Sequence, residues 1–478
     1  MESIILLAIF LPVLGSFLLP IIGRFSAKAR NITAFLLVLG SFSASLSLVF
    51  PVLSGETPTF SFPIPLGFDF IFAADALGVF MALVSSFIGM IIVLYSIGYV
   101  HHDDYQNEYY LMVVLFLGSM FGLVYTQNLI YLYLFWEIAA ICCWRLIGFY
   151  REREIILRAD KAFLITVFGA LAMLLGFIIL YNDFGTFDLR IIKALPGGRV
   201  ASNLAVLLIM FGIFSKSATL PFHTWLPDAG VAPSPVTALL HAAVLVKIGV
   251  FAFARIFVGT IALDPVWYQI LPIVIAISAL VAGGAALIET DIKRIIAYST
   301  VSQLAFIFLG LMMKNNQLAL AGGLLFMLMH GLAKGGLFLC AGIVEHNAHT
   351  KDIRQMGGLI KTMPVTAISF ALCALSVMGI PPFGGFFSKY MVINGAVAAG
   401  SPWIAGAFLL GAFLTVLYLL RVFILVFLGN LKLPEVKEGT ATMLYAVAIL
   451  AGLSLISGFL VKYPNEFIQI ALRQMVGN

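Results

Sequence analysis

Long apolar segments follow one another along nearly the whole chain, and short polar loops separate them. A helix needs roughly 20 apolar residues to cross about 30 Å of hydrocarbon. Segments of this length lie near residues 3–23, 31–53, 76–100, 109–127, 128–150, 157–182, 202–220, 234–259, 266–288, 292–313, 317–344, 364–399, 402–429 and 441–461. The pattern predicts an all-α integral membrane protein with about fourteen transmembrane helices.

Two of these segments are predicted to be broken helices. The segment at 364–399 is longer than one crossing needs and contains Pro381 and Pro382. Proline removes a backbone donor and interrupts a helix, which favours one broken helix over two crossings. Pro221 interrupts an earlier segment in the same way, shortly after Lys216.

The two breaks indicate an internal repeat. FSKSATLPF (214–222) lies in the fourth span of one set of five, and GIPPFGGFFSK (379–389) lies in the fourth span of the next set. Because five is an odd number, the second set enters the membrane with the opposite sense. We therefore expect two inverted five-helix repeats, helices 4–8 and 9–13, with helices 7 and 12 broken. The predicted units are residues 1–108 (helices 1–3), 109–259 (first repeat), 266–429 (second repeat) and 441–478 (helix 14 and the tail).

The loops predict an orientation. Basic residues follow helices 1, 5, 9, 11 and 13, which lie on one side, and the positive-inside rule makes that side cytoplasmic. Both termini are then outside the cell membrane. The acidic loop at 101–108 and the basic residues Arg190, Lys193 and Arg199 run against this assignment. Residues 57–72 alternate and contain prolines, which predicts a short external hairpin, with an irregular loop as the alternative.

Composition agrees with a membrane protein and excludes several partners. Of the 478 residues, 62% are hydrophobic and only 10% are charged, whereas soluble proteins carry about 25% charged residues. The net charge of +5 is scattered through short loops, so we expect the lipid bilayer and no nucleic acid as a partner. Cys142, Cys143, Cys340 and Cys373 lie in apolar stretches without ligand spacing, so they are predicted to be buried, and neither metal nor cofactor is expected.

Five ionisable residues lie well inside predicted spans: Glu137, Lys216, Lys247, Lys334 and Lys389. Each costs about 2.5–3.5 kcal/mol to insert unless it is paired, hydrated or neutral. Burial disfavours a charged lysine and a nearby carboxylate favours it, so a buried lysine can hold and release a proton, which arginine cannot do. We therefore predict an ion path.

Two histidines are expected to act as relays, because histidine titrates closest to neutral pH. His330 lies four residues before Lys334 and shares its helix face, whereas His241 and Lys247 are six residues apart and do not share one. The alternative for each path residue is a structural ion pair or, for Lys389, a side chain that extends to the membrane surface. A separate group at predicted helix ends is expected to consist of caps or solvated loop residues: His223, Asp228 and Asp291.

At these residues the chain resembles the antiporter-like membrane subunits of respiratory complex I, of Mrp-type sodium/proton antiporters and of membrane-bound energy-converting hydrogenases. The resembling stretches are FWEIAAICCWRLIGFY (135–150), KSATLPFHTWLPDA (216–229), SPVTALLHAAVLVKIGVF (234–251), DIKRIIAYSTVSQL (291–304), HGLAKGGLF (330–338) and GIPPFGGFFSK (379–389). The resemblance implies fourteen helices, two inverted repeats and discontinuous helices 7 and 12. It also implies a lateral proton pathway through Glu137, Lys216, Lys247 and Lys389, with His241, His330 and Lys334 as intermediates.

Two features depart from the family pattern. The chain ends at Asn478 without a long lateral helix, so it is expected to resemble the shorter D-type Mrp protein or its hydrogenase counterpart. Arg145 is an extra charge eight residues from Glu137, and it is expected either to pair with Glu137 or to mark the helix end.

The leading hypothesis is a non-redox subunit that translocates protons within a complex of other membrane subunits, which supply redox or ion-gradient energy. No catalytic redox chemistry is expected in this chain itself. The alternatives are a sodium/proton antiporter, alone or in an Mrp-type complex, and a structural scaffold. Glu137 is the only acid well inside a span, and sodium prefers several oxygen ligands, so protons are favoured over sodium.

Overall fold

The computed structural model describes residues 1–65, 68–101, 103–195, 200–313 and 316–477, so Arg199 lies outside the described residues. The N-terminal part contains five helices and an antiparallel hairpin in which Thr59 pairs with Ala73. Its elements are α1 (Glu2–Ser16), α2 (Leu19–Phe25), α3 (Ala27–Ser47), α4 (Val49–Leu53), β1 (Thr59–Phe62), β2 (Phe70–Ala73) and α5 (Ala76–Tyr99). The hairpin predicted at 57–72 is confirmed in these strands.

The middle of the chain is interrupted repeatedly. It comprises α6 (Gln106–Tyr125), α7 (Leu129–Ile147), α8 (Arg153–Phe184), α9 (Leu189–Ala194), α10 (Asn203–Lys216), a 3-10 turn (Phe222–Thr224), α11 (Trp225–Asp228), a second 3-10 turn (Ala229–Val231), α12 (Ser234–Ala238), a π-helical segment (Leu239–Ala243), α13 (Leu245–Phe253) and a second π-helical segment (Ala254–Val258). The span predicted at 234–259 is therefore one buried rod with two π-helical segments, which occur mostly at functional sites.

The last part of the chain has longer helices and one break. It comprises α14 (Pro265–Ile288), α15 (Ile292–Met312), α16 (Gln317–Ala348), a 3-10 turn (Leu359–Lys361), α17 (Pro364–Met378), α18 (Gly384–Ala398), α19 (Pro402–Phe427), α20 (Ala441–Phe459) and α21 (Lys462–Val476). Asp291 caps α15 by accepting hydrogen bonds from the backbone N–H groups of Lys293 (2.8 Å) and Arg294 (3.1 Å). The cap predicted at Asp291 is thus confirmed.

Eleven helices in the described ranges are long and apolar enough to cross a membrane, and the bent pair α1 and α2 makes a twelfth. Two shorter apolar helices, α10 and α17, end at the predicted breaks. The multi-pass membrane fold is confirmed.

The polar residues of interest lie near the centre of the bundle. The rod Ser234–Val258 is fully buried, and α15 and α16 are nearly so, whereas α8 and α19 are mostly at the surface. Helix α16 packs against α12, α15, α17, α18 and α20. The most enclosed helices are therefore those that carry His241, Lys247, His330 and Lys334.

Both breaks satisfy the backbone groups that they release. At the first break, the indole N–H of Trp225 donates to the carbonyl of Ser215 (2.9 Å), and the N–H of Leu220 donates to Ser278 Oγ (3.2 Å). At the second break, α17 ends at Gly379, whose φ of 83° is in the left-handed region that favours glycine. Broken backbone inside a membrane requires such partners.

Candidate ion path

Lys216 is the last residue of α10, and its side chain is completely buried beside α7. Its ammonium donates to the main-chain carbonyl of Trp136 (3.2 Å) and lies 5.4 Å from the centre of the Trp136 ring. Glu137 is the next residue along α7 and lies within electrostatic range of Lys216. Glu137 Oε1 has no hydrogen-bond partner among the described residues. The lysine is therefore stabilised mainly by a carbonyl dipole and an aromatic face.

The predicted pairing of Arg145 with Glu137 is wrong. Arg145 forms an ion pair with Glu108 of α6, and Arg151 joins the same carboxylate at 2.5 Å. Arg145 lies in the last turn of α7, so its side chain reaches the end of the bundle and not the middle. The acidic loop at 101–108 thus provides a carboxylate for two arginines, and Glu137 has no arginine partner among the described residues.

Lys247 lies on α13, just after the first π-helical segment, and is completely buried. Its ammonium donates to the carbonyl of Ala242, which is in that segment. The same ammonium lies against Gly331 of α16, where a Cβ would overlap it. Gly331 follows His330 directly, so the packing places Lys247 beside the segment that carries the histidine.

His241 and Lys334 lie close together on facing helices. His241 is in the π-helical segment, and its ring lies 4.3 Å from that of Phe338. Lys334 lies one helical turn before Phe338 and donates to the carbonyl of Ile296 (3.0 Å). Neither ring nitrogen of His241 or His330 has a hydrogen-bond partner in the part of the chain that the structure describes. Buried imidazoles without protein partners fit a path that contains water.

Lys389 lies on α18, just after the second break, and its ammonium donates to the carbonyl of Val377 (2.7 Å). That carbonyl belongs to the last turn of α17, where the helix provides no N–H partner. The rings of Phe306 and Phe326 lie 4.7 Å and 5.7 Å from the ammonium. The Phe326 ring is in turn 5.8 Å from His330.

The structure thus places the predicted path residues in two groups. The first group is Glu137 and Lys216. The second group is Lys247, His241, His330, Lys334 and Lys389, and within it the other four members all lie within electrostatic range of His330. The groups adjoin where α13 packs on the end of α10, because a Cβ at Gly249 would lie 2.6 Å from the carbonyl of Ile213.

A further buried charge is missing from the predicted path residues. Lys293 of α15 is 1% exposed and forms an ion pair with Glu345 of α16 (3.0 Å), which Lys351 also contacts at 3.0 Å. The hydropathy pattern assigns Lys293 to a loop, because it comes two residues after the cap Asp291. Its position in a helix that starts deep in the bundle becomes visible only in three dimensions.

Asp228, at the end of α11, is neither a cap nor a solvated loop residue, so that expectation is wrong. It bridges two helices through ion pairs with Lys161 (2.7 Å) and Arg294 (2.8 Å). Burial favours its neutral form, but the two cations outweigh burial and hold the pKa of Asp228 below its usual value. Asp228 therefore stays charged and fastens α8 to α15 near the first break.

Comparison with known families identifies the transmembrane part of the chain. The family described as NADH:quinone oxidoreductase/Mrp antiporter, TM, matches residues 126–415. The family described as NADH-Ubiquinone oxidoreductase (complex I), chain 5 N-terminus, matches residues 62–110. Together the two matches include every predicted path residue.

Curated relatives are a third or more identical to the chain over the matched regions. The A-type protein of the Na(+)/H(+) antiporter of Alkalihalophilus pseudofirmus is 36% identical over 84% of this chain and 53% of its own length. The A1-type protein of the Na(+)/H(+) antiporter of Staphylococcus aureus is 33% identical over 95% of this chain and 61% of its own length. The chain thus spans only about half to three fifths of these relatives, and the expected likeness to the D-type Mrp protein stays a prediction.

Solved structures support the fold. A chain of the Mrp complex from Dietzia sp. superposes with a TM-score of 0.90 at 21% identity, over 100% of this chain and 98% of that one. A chain of the membrane-bound sulfane sulfur reductase, an archaeal respiratory membrane complex, superposes with a TM-score of 0.89 at 22% identity, over 99% of this chain and 97% of that one. At these identities the likeness concerns the fold alone.

Proposed function

We propose that this chain, which belongs to the family of NADH:quinone oxidoreductase and Mrp antiporter membrane subunits, translocates protons as a non-redox member of a multi-subunit complex. Partner subunits supply the redox or ion-gradient energy. The observation that carries the proposal is the row of fully buried lysines whose ammonium groups each donate to a main-chain carbonyl. Such lysines are costly to the fold unless they exchange protons.

The chemistry follows from what these lysines contact. A carbonyl stabilises an ammonium less strongly than a carboxylate does, because it carries only a partial charge. The charged and neutral forms of each lysine are therefore closer in free energy than they would be in a tight ion pair. His241 and His330 connect the lysines of the second group through water, and Lys216 exchanges with Glu137 in the first. A proton then moves along the row as successive groups change their protonation state.

The architecture proposed for this function has fourteen crossings, counting α10 and α17 with their continuations as the broken helices 7 and 12. The inverted repeats are residues 109–259 and 266–429, preceded by residues 1–108 and followed by 441–478. Contacts across loops support the alternation of sides, since Tyr150 and Lys351 line one pocket although they follow different helices. Both termini then lie outside the cell membrane, with the basic loops in the cytoplasm.

A second candidate is exchange of sodium for protons within an Mrp-type complex. The names of the curated relatives favour it, since both belong to Na(+)/H(+) antiporters. The carbonyls at the two breaks are the oxygen atoms that a dehydrated sodium ion would use. In the first candidate these oxygens bind only lysine, so replacing a lysine stops proton movement and leaves no sodium-dependent component.

The experiment uses the complete complex in membrane vesicles and compares Lys216→Ala with the native chain. Proton movement is followed with a pH-sensitive dye and sodium uptake with a radioactive tracer. Lys462→Ala is the matched control, because Lys462 is 78% exposed on α21 and makes a long surface ion pair with Glu466. We expect at least tenfold slower coupled proton movement in Lys216→Ala, and native rates in Lys462→Ala.

Each result separates the hypotheses. Loss of proton movement with normal amounts of assembled complex supports proton translocation. Loss of tracer sodium uptake in parallel, in a fixed ratio, favours the sodium/proton exchanger. Native transport combined with weakened assembly would show that the lysine is structural, and the scaffold hypothesis would then replace the proposal.

A further inference from the structure

A polar cluster connects the second group to one surface of the molecule. This surface cluster consists of Ser234, Lys293, Glu345 and Lys351. Lys293 donates to the carbonyl of Ala232 (2.7 Å) as well as to Glu345, and Ser234 Oγ donates to Glu345 Oε2 (3.1 Å). Glu345 keeps 18% of its side chain exposed, and the carboxylate lines an open pocket of about 400 Å³. The cluster therefore has one side in the bundle and the other in solvent.

The ion pair is more costly than its structural role requires. Taking Lys293 and Glu345 out of water costs several kcal/mol per ion, and apolar residues of similar volume hold helices together as well or better. Lys351 adds a second cation on the solvent side of the same carboxylate. A carboxylate between a buried and an exposed ammonium is suited to exchange protons with water on one side and with the interior on the other.

Two facing helices connect this cluster to His241. On the rod that starts with α12, Ser234, Thr237 and His241 are spaced three and four residues apart, so they share one face, and all three are completely buried. Seven residues at about 1.5 Å per residue place Ser234 roughly 10 Å from His241. Thr237, between them, donates its hydroxyl proton to backbone carbonyls and so keeps its own lone pairs for water.

Helix α16 presents the complementary face. Lys334, Phe338, Gly342 and Glu345 follow one another at intervals of three and four residues. A Cβ at Gly342 would lie 2.9 Å from Ser234 Oγ and 2.8 Å from the Tyr95 hydroxyl, so glycine leaves room for the hydroxyls. Phe338, which stacks on His241, closes this gap at its inner end. His241 also lies within electrostatic range of Lys293 and Lys334.

We propose that Glu345, with Lys293, is the port through which the buried path exchanges protons with the aqueous phase on one face of the membrane. This inference rests on the proposed proton-translocating function. The carboxylate of Glu345 takes a proton from a hydronium ion in the pocket, leaving water. The proton then passes by way of water and the Ser234 and Thr237 hydroxyls to His241, and Glu345 becomes a carboxylate again. By the positive-inside rule this face is the cytoplasmic one.

The test compares Glu345→Gln, Glu345→Asp and native complexes in membrane vesicles, with the pocket face turned to the outer buffer. Coupled proton movement is measured as the pH of that buffer is varied. The groups that face Glu345 and belong to the same titration are Lys293 of α15, Lys351 of the following loop, Ser234 of α12, Tyr99 of α5 and Tyr150 after α7. The matched control is Glu438→Gln, since Glu438 caps the start of α17 by accepting from the N–H of Val365 (2.7 Å) and the hydroxyl of Thr366 (2.7 Å).

We expect Glu345→Gln to slow coupled proton movement at least tenfold, and Glu345→Asp to retain activity with a shifted pH profile on the pocket side only. Glu438→Gln should behave as native. A native rate and native pH profile in both Glu345 variants would overturn the port. If Glu345→Gln fails to accumulate, an unchanged pH profile in Glu345→Asp has the same consequence. Loss of transport in Lys216→Ala with native Glu345 variants rejects the port alone, whereas native transport in Lys216→Ala rejects the proposed function.

Discussion

Replacing Gly331 by alanine tests whether the position of the Lys247 ammonium matters for transport. The added methyl group would overlap Nζ of Lys247, come within 2.6 Å of Cδ1 of Ile88 and lie 3.2 Å from the carbonyl oxygen of Ala242. The first two atoms are the ends of flexible side chains and can move, whereas the carbonyl belongs to the backbone. The ammonium is therefore pushed away from the carbonyl that accepts its hydrogen bond.

The size of the effect follows from that lost contact. A hydrogen bond to a charged group is worth about 1.5–3 kcal/mol, and every 1.36 kcal/mol corresponds to about a tenfold change in a protonation equilibrium. Gly331→Ala should therefore disfavour the charged form of Lys247 by roughly 10- to 100-fold. The cost in folding is expected to be smaller, about 1 kcal/mol, because the overlapping atoms can shift.

The assay is coupled proton movement in vesicles, normalised to the amount of assembled complex. Gly335→Ala is the matched control, one helical turn along the same face. There the new methyl group would meet only apolar atoms, of which Cδ1 of Leu450 is the nearest at 3.2 Å. We expect at least tenfold slower transport in Gly331→Ala and close to native transport in Gly335→Ala. Equal rates in the two variants would refute the reasoning, because they would show that the location of this ammonium is irrelevant.

Three further changes test other parts of the structure. Lys389→Met and Lys389→Arg should both slow proton movement at least tenfold in vesicles, because arginine keeps the charge but does not release a proton; native transport in Lys389→Arg would contradict proton exchange at this position. Asp228→Asn should lower the stability of the solubilised chain by about 1 kcal/mol at neutral pH. Because the folded pKa of Asp228 is below the unfolded value of 3.8, this contribution is present above that value and is lost as pH falls through the folded pKa, so thermal unfolding of the two chains should converge at strongly acid pH; an equal difference at all pH values would argue against the ion pairs. Gly385→Ala should reduce the yield of folded chain, since its Cβ would overlap the carbonyl of Ser376, whereas Gly406→Ala meets nothing within 4 Å and should leave the yield unchanged; equal yields would show that the second break is not tightly packed.

Much of the architecture is readable from the chain because the physics of a bilayer is local. The length of each apolar run, the prolines at the two breaks and the rarity of charge within spans are properties of neighbouring residues. They are sufficient to predict a multi-pass helical bundle, the ends of α10 and α17 and the family. They are also sufficient to single out Lys216, Lys247 and Lys389, since a cation inside an apolar segment is costly whatever surrounds it.

The partners of those charges depend on the tertiary structure. Burial predicts a carboxylate beside each lysine, but the ammonium groups bind main-chain carbonyls instead, such as that of Trp136 for Lys216. Arg145 pairs with Glu108 of another helix and not with Glu137, and Glu345 meets Lys293 because α16 and α15 pack together. Hydrophobicity and helical period determine where each segment crosses the membrane. Which polar atoms then meet depends on rotation and depth of one helix against the next, and these are determined by close packing between residues far apart in the chain.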